Sequence, residues 1–391
     1  MQSLRIIILT AVLLISFSGQ AQDKGMLFEK SDWAGILAKA KKEKKYIFLD
    51  AYASWCGPCK WMSKEIFPQE KVGEFMNARF VHAKIDMEKG EGIALAQQYQ
   101  VGSYPTYLFF NPDGELVHRG LGSMPAEDFI ALCSNALDSS KQYMTLRKQY
   151  LGGQRDSAFL RQFTYVASDA QDTLTQEILK AYLITQHQAL NETTIPLIHY
   201  VTGSIEDPGF SLMVQYPEKF EAVLGKETYA STMEGLVWYA ARKAGKKGSD
   251  TAAFRKVIQH YLPEQTDLLC AQYQLSLLKR SENWKDYLPK ALAFADKFCQ
   301  EDWQRLNDIA ATLSEQYTTK DTHEKALKMA LRSVDLHPVY DNYDTAAQLY
   351  FQLNDLANAK VFAEKAIAAG KAAGTTTTAT ESLLQKIISA K

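Results

Sequence analysis

Apolar and polar residues follow three textures along this chain. The first is an apolar run over residues 6–15, preceded by Arg5 and followed by Ser16-Phe17-Ser18-Gly19-Gln20-Ala21. The second, residues 23–139, mixes strand-like and helix-like patterns. Trp33, Ile36, Leu37 and Ala40 recur at helical spacing and predict a helix over 33–45. Residues 46–52 are almost continuously apolar, as in a strand buried on both faces. A helix to about residue 67, a strand over 80–86 and a short helix over 92–99 follow. Residues 107–110 and 116–118 flank Asn111-Pro112-Asp113-Gly114, which predicts a hairpin. An amphipathic helix over 126–137 closes the unit. After the first helix the predicted order is strand, helix, strand, helix, strand, strand, helix, with an extra element around Met26 and Phe28. The third texture, residues 140–391, is helical almost throughout. Near its end Ala326, Ala330 and Ser333 recur 33 residues later as Ala359, Ala363 and Ala366, and Leu313 and Tyr317 recur as Ala346 and Tyr350.

Composition narrows the classes. The chain has 391 residues, too many for one ordinary domain. It is 46% hydrophobic and 23% charged, which excludes a largely disordered or collagen-like chain. Lys plus Arg number 44 against 45 for Asp plus Glu, a balance that argues against nucleic acid as a partner. The first texture has the charged, apolar and small-residue regions of a secretory signal, with a cut after Ala21. The alternative is an uncleaved anchor, but the apolar core is well short of a bilayer span. No cysteine follows it, so a lipoprotein anchor is not expected. The mature protein is expected to be exported, in a bacterial periplasm, where disulfides form.

The chemistry lies in Trp55-Cys56-Gly57-Pro58-Cys59-Lys60. Cys56 falls at a helix N-terminus, where free N–H groups and the helix dipole favour a thiolate. Cys59, one turn on, can attack a mixed disulfide formed by Cys56. Pro58 suits a first helical turn, and Gly57 keeps the approach open. The bland alternatives are a structural disulfide or half a zinc site. No second Cys-x-x-Cys or histidine pair exists to complete zinc ligation.

This motif resembles the active site of the thioredoxin family, over about residues 26–138. The resemblance implies an α/β thioredoxin-like domain and a catalytic set of Cys56, Cys59 and Asp50. Asp50 would be a buried carboxylate that helps deprotonate the resolving cysteine; otherwise it is a surface carboxylate at a strand end. Pro105, after Tyr104, would be the cis-proline facing the disulfide rather than a plain trans turn proline. Gly120 matches a glycine of the substrate rim. Trp55 is read as a partly exposed platform beside the thiols rather than simple core. Where many relatives pair a lysine with the Asp, alignment gives His82, with Lys84 two residues on, and the choice stays open. The spacing of Lys45, Asp50 and Phe75-Met76-Asn77 resembles periplasmic thioredoxin-like modules. The implied cofactor is none beyond a redox-active Cys56–Cys59 disulfide. The implied partners are disulfide-bearing proteins and a membrane-embedded electron donor.

The domains expected are 1–21 signal peptide, 23–139 thioredoxin-like and 140–391 all-α helical repeat. The recurring small residues resemble tetratricopeptide helix pairs, the alternative being an ordinary helical bundle. Cys133 is expected to be a buried inert thiol. Cys270 and Cys299 either pair or, as favoured here, remain buried and free. The leading function is a periplasmic thiol–disulfide oxidoreductase, of the reducing kind. The alternative is a protein-binding helical scaffold or chaperone-like module with the redox unit as its clamp.

Overall fold

The computed structural model describes residues 25–390, so the signal-peptide expectation lies outside the described residues. The chain divides into two compact units, the first ending at Tyr229 and the second running from Ala230.

The first unit begins with α1 (Trp33–Glu43), β1 (Tyr46–Tyr52) and α2 (Gly57–Trp61), whose last turn passes into a wider π turn over Met62–Ile66. Then come α3 (Glu70–Arg79), β2 (Phe80–Asp86), α4 (Gly92–Gln98), β3 (Thr106–Phe110), β4 (Leu116–Leu121) and α5 (Ala126–Leu137). The four strands lie in the order β2-β1-β3-β4; β2 is parallel to β1, and the other pairs are antiparallel. Met26 and Phe28 do form an extra element, for Phe28 bridges to His82 on β2. Helix α3 is an addition to the expected order. Pro68 removes an N–H after Phe67 and starts a fresh helix, whose few core contacts, Val72 and Met76, give little periodic signal.

Strand alternation sorts β1 between two cores. Ile47, Leu49 and Ala51 face Ile36, Ala40, Leu95 and Leu108. Phe48 faces the other way, into an aromatic cluster where its ring lies 5.5 Å from those of Phe109 and Phe129 and 5.6 Å from Tyr107. Asp50 shares that second face. In the hairpin, Gly114 has φ +84°, a conformation glycine adopts without strain. Asn111 Oδ1 accepts from Asp113 N–H at 3.1 Å and Glu115 N–H at 2.9 Å.

Helices α6 (Tyr143–Leu151), α7 (Ser157–Asp169), α8 (Thr175–Ile184), α9 (Thr194–Val201), α10 (Pro208–Gln215) and α11 (Pro217–Leu224) complete the first unit. They join the sheet through α6 and α7, which pack on the edge strand β4. The Tyr143 N–H donates to His118 Nδ1 at 3.0 Å. Tyr143 Oη and Arg147 Nε both donate to Asp172 Oδ2, at 2.9 and 3.0 Å.

The second unit is all helical: after α12 (Lys226–Ala244) come α13 (Thr251–Tyr261), α14 (Thr266–Arg280), α15 (Trp284–Phe298), α16 (Trp303–Gln316), α17 (Lys320–Leu336), α18 (Tyr340–Gln352), α19 (Leu356–Ala372) and α20 (Thr378–Ser389). Many starts carry an oxygen cap of the kind that satisfies free N–H groups: Asp250, Asn283, Asp302, Thr319 and Asp355. The 33-residue recurrence maps onto two consecutive helix pairs, α16–α17 and α18–α19. Its small residues, Ala326, Ala330 and Ser333 and then Ala359, Ala363 and Ala366, are all fully buried. Small side chains there let neighbouring helices approach closely. Among the described residues no helix is long and apolar enough to cross a membrane.

The His118–Tyr143 contact has a pH consequence. Burial lowers the His118 pKa to about 4, and its Nδ1 must keep a lone pair to accept from Tyr143. Between about pH 6.5 and 4 the unfolded chain takes up a proton that the native ring refuses, so stability falls as pH falls, by up to ~3 kcal/mol. Exchange protection of the Tyr143 amide, corrected for intrinsic rate, is expected to weaken from pH 7 to pH 4 in the wild type. His118→Gln keeps an acceptor without a titrating ring and is expected to flatten that loss. Parallel slopes in the two proteins would contradict this assignment.

Candidate active site

The chain turns from β1 into α2 through Ala53-Ser54-Trp55. Cys56 is the N-cap of α2, with extended backbone, and its Sγ accepts the Cys59 N–H at 3.1 Å. Pro58 fills the first turn, where no partner for its missing N–H is required. Cys56 and Cys59 are joined in a disulfide, with Cα atoms 5.3 Å apart. Each sulfur-bearing residue is only 2% exposed, packed with Ala53, Tyr52 and Tyr104. Gly57, Pro58 and Lys60 around them are exposed. A Cβ at Gly57 would meet nothing within 4 Å, so the open approach there is real space.

Of the remaining expected residues, Tyr104 packs against the disulfide and Trp55 packs against Tyr104. Trp55 is 66% exposed, and its ring stands 5.9 Å from that of Tyr104. Its Nε1 donates to Glu88 Oε2 at 2.8 Å, which fixes the ring's tilt. Glu88 had no place in the sequence reading; only its position after the Phe80–Asp86 strand could have suggested it. The Tyr104–Pro105 peptide is cis. Gly120 sits inside β4, paired with Tyr107, and a Cβ there would lie 2.7 Å from Leu132 Cδ1. The glycine in the adjoining loop is Gly122, with φ +89°, open surroundings and an N–H that donates to Pro105 O at 2.9 Å. Sequence reasoning passed over it, although Gly120-Leu121-Gly122 offers two candidates.

Behind the disulfide, Asp50 is 1% exposed. Strand register decides its partner. Across the parallel β1–β2 pair, Asp50 stands opposite Lys84, while His82 stands opposite Phe48. Partner positions share a face, so Lys84 Nζ comes within 3.7 Å of Asp50 Oδ2. Lys84 also bonds Ser63 Oγ and lies 5.1 Å over the Tyr52 ring. His82 instead places Nδ1 2.9 Å from Leu27 O. Lys45, the other basic residue of interest, donates to Asn77 O at 2.9 Å, tying β1 to α3.

Both Asp50 oxygens lack a hydrogen-bond partner. Burial raises the carboxyl pKa to about 6, with the Lys84 charge pulling the other way. A cleft of about 510 Å³ runs beside this pair, lined by Tyr52, Cys59, Lys60, Ser63, Lys64 and Lys84. Lys84 thus touches both the carboxylate and the cleft onto which Cys59 opens. The arrangement can store a proton near neutral pH one side chain away from a sulfur.

The other cysteines form no bond among themselves. Cys133 is fully buried, and burial pushes its thiol well above the usual range. Cys299 is likewise buried, with its thiol at about 11. Cys270 departs from the buried expectation, being half-buried on α14.

A model of the thioredoxin-like domain family matches residues 34–137. Thioredoxin Y, a chloroplastic protein of Oryza sativa subsp. japonica, is 35% identical over 101 residues, 26% of this chain and 56% of that protein. A thioredoxin-like protein of Synechocystis sp. is 35% identical over 101 residues, 26% of this chain and 90% of that protein. Thiol:disulfide interchange protein DsbD of Pseudomonas fluorescens is 33% identical over 81 residues, 20% of this chain and 14% of that protein. The chain spans about half the length of the chloroplastic proteins it matches, 56% and 52%. Helices α6 to α20 lie beyond the family model.

Asp50 gives a stability test. The unfolded carboxyl ionises near pH 4 and the buried one at about 6, so the native state loses stability as pH rises through that window, by up to ~3 kcal/mol above it. Asp50→Asn in the oxidised protein is expected to raise the thermal midpoint at pH 8 and to leave it little changed at pH 4. Equal midpoints at pH 8 would show that the carboxylate is not held in a dry site.

Proposed function

The chain belongs to the thioredoxin-like family, and on that premise we propose that it is an exported thiol–disulfide oxidoreductase that reduces disulfides in protein substrates. The observation that carries the proposal is a Cys56–Cys59 disulfide at a helix N-terminus, packed against Tyr104 of a cis Tyr104–Pro105 peptide, with Cys59 sharing a cleft with Lys84, the partner of buried Asp50.

In the reduced enzyme the Cys56 thiolate, favoured by the N–H groups of α2, attacks one sulfur of a substrate disulfide. A Cys56–substrate disulfide forms and one substrate thiolate leaves. The Cys59 thiol then gives its proton, through the Lys84-lined cleft, to the Asp50 carboxylate. Its thiolate attacks Cys56 Sγ, the substrate's second thiolate departs, and the enzyme is left as the disulfide seen here. Two electrons have passed to the substrate, and a dithiol donor must return two. Trp55, Tyr104 and the cis-Pro105 loop offer a rim on which a substrate backbone lies beside the sulfurs.

The Gly-Pro pair between the cysteines and the buried Asp50 favour the reducing direction over strong oxidation. Arg5, the apolar run over residues 6–15 and the small residues ending at Ala21 favour export to a periplasm. A membrane-embedded dithiol donor fits that compartment. The two repeated helix pairs read as tetratricopeptide-like, suited to hold a protein partner. That favours, as a second reading, a scaffold for which the redox unit serves as clamp.

Insulin reduction with a dithiol donor is expected from the wild type and not from Cys56→Ser. Cys59→Ala is expected to accumulate mixed disulfides on Cys56, identifiable by mass spectrometry. A redox titration should give a potential in the reducing range of the family. A potential as high as those of dedicated disulfide-forming enzymes would reverse the direction, and insulin reduction that survives in Cys56→Ser would remove the site.

A further inference from the structure

Helices α5, α7 and α9 meet beside the cis-proline loop, and α5 and α7 bring Asp128 and Asp169 there without an ion-pair partner among the described residues. Gln171, in the turn after α7, accepts a hydrogen bond from Ser103 Oγ at 3.2 Å, so this turn is tied to the cis-proline loop. Next to it a groove of about 350 Å³ runs between α5 and the ends of α7 and α9. Leu121, Met124 and Leu132 form its apolar floor; Asp128 stands on one side, and Asp169 and Tyr200 on the other. The groove begins one ladder pair from the cis-proline. Leu121 pairs with Thr106, the residue after Pro105, and the next residue, Gly122, donates to Pro105 O.

Charge decides what the groove can take. Its lining carries two carboxylates and no cation. Among the described residues, neither Asp128 nor Asp169 has an ion-pair partner. Asp169 is half-buried and accepts from Tyr200 Oη; burial raises its carboxyl above the usual range, and the Tyr200 bond opposes part of that. An incoming ammonium or guanidinium would relieve that cost, and its alkyl stem would lie along the apolar floor beside the exposed Tyr200 ring. These are the features of a pocket for a lysine or arginine side chain.

Resting on the oxidoreductase reading above, we infer that this groove holds the polypeptide flanking the reacting cysteine of a disulfide substrate, and selects a lysine or arginine there through Asp128 and Asp169. The helical extension is thereby part of the substrate site of the thioredoxin-like domain. Asp128 and Asp169 are specificity-determining residues that take no part in the sulfur chemistry.

The test uses the full chain and mixed-disulfide peptides with a lysine placed in turn at each of five positions on either side of the cysteine. Matching peptides carry glutamate or serine, and a small aromatic disulfide reports the chemistry alone. The wild type is expected to show a kcat/KM at least about 5-fold higher for one lysine position than for its glutamate counterpart. Asp128→Asn and Asp169→Asn are each expected to reduce that ratio, and together to abolish it, with turnover of the serine peptide and the small disulfide unchanged. Asp128 is exposed, so its variant keeps the fold even if Asp169→Asn does not. No lysine preference at any position in the wild type would overturn the inference, as would a preference that survives in the double variant. Failure of the wild type to reduce any of these disulfides would instead overturn the oxidoreductase reading.

Discussion

One carboxylate in an otherwise apolar layer organises the site. Asp50 sits on the same strand face as Phe48, against a cluster of aromatic rings, where an ionised group has no water. The strand register brings Lys84 opposite and supplies a partial counter-charge. What remains is a carboxyl whose proton affinity lies near neutrality. The same strand leads through a short turn into α2 and so brings Cys59 to the cleft that Lys84, the partner of this carboxyl, also lines. Helix start, strand register and sheet burial therefore converge on one proton and two sulfurs.

Around that centre lie the cis-proline loop and the helices that follow the sheet. Cys56 and Cys59 are nearly hidden, with Tyr104 packed against them and Trp55 beside Tyr104. Ser103 in that loop is held by Gln171 from the helical extension. The extension is joined to the edge strand by the His118–Tyr143 contact and to itself by Asp172, which gathers Tyr143 and Arg147. A buried neutral histidine and a buried aspartate thus fix where α6 and α7 lie, and with them the wall of the groove beside the rim.

Much of this was legible in the sequence, for physical reasons that can be named. The apolar run 46–52 reads as a strand covered on both faces, and the Cys-Gly-Pro-Cys pattern after it suits the first turn of a helix. The recurrence of small residues every 33 positions located the two helix pairs, because close packing tolerates few side chains. What stayed hidden depends on register and on long-range contact. His82 and Lys84 share a strand face, and only the pairing with β1 tells which meets Asp50. Gly120 and Gly122 differ by a strand end that sequence does not mark. Helix α3 was missed because its core contacts are too sparse to show a period. The part of the extension that meets the cis-proline loop bears no motif at all; Gln171 and Asp169 are ordinary polar residues until folding brings them there.

The central claim is that Asp50 is buried, coupled to Lys84 and able to take a proton near neutral pH. The most direct measurement is the titration of its side-chain carboxyl carbon by nuclear magnetic resonance in the oxidised protein. The account predicts a midpoint at about 6, moving higher in Lys84→Met as the counter-charge is removed. A midpoint near 4, the value of an exposed aspartate, unchanged in Lys84→Met, would contradict it.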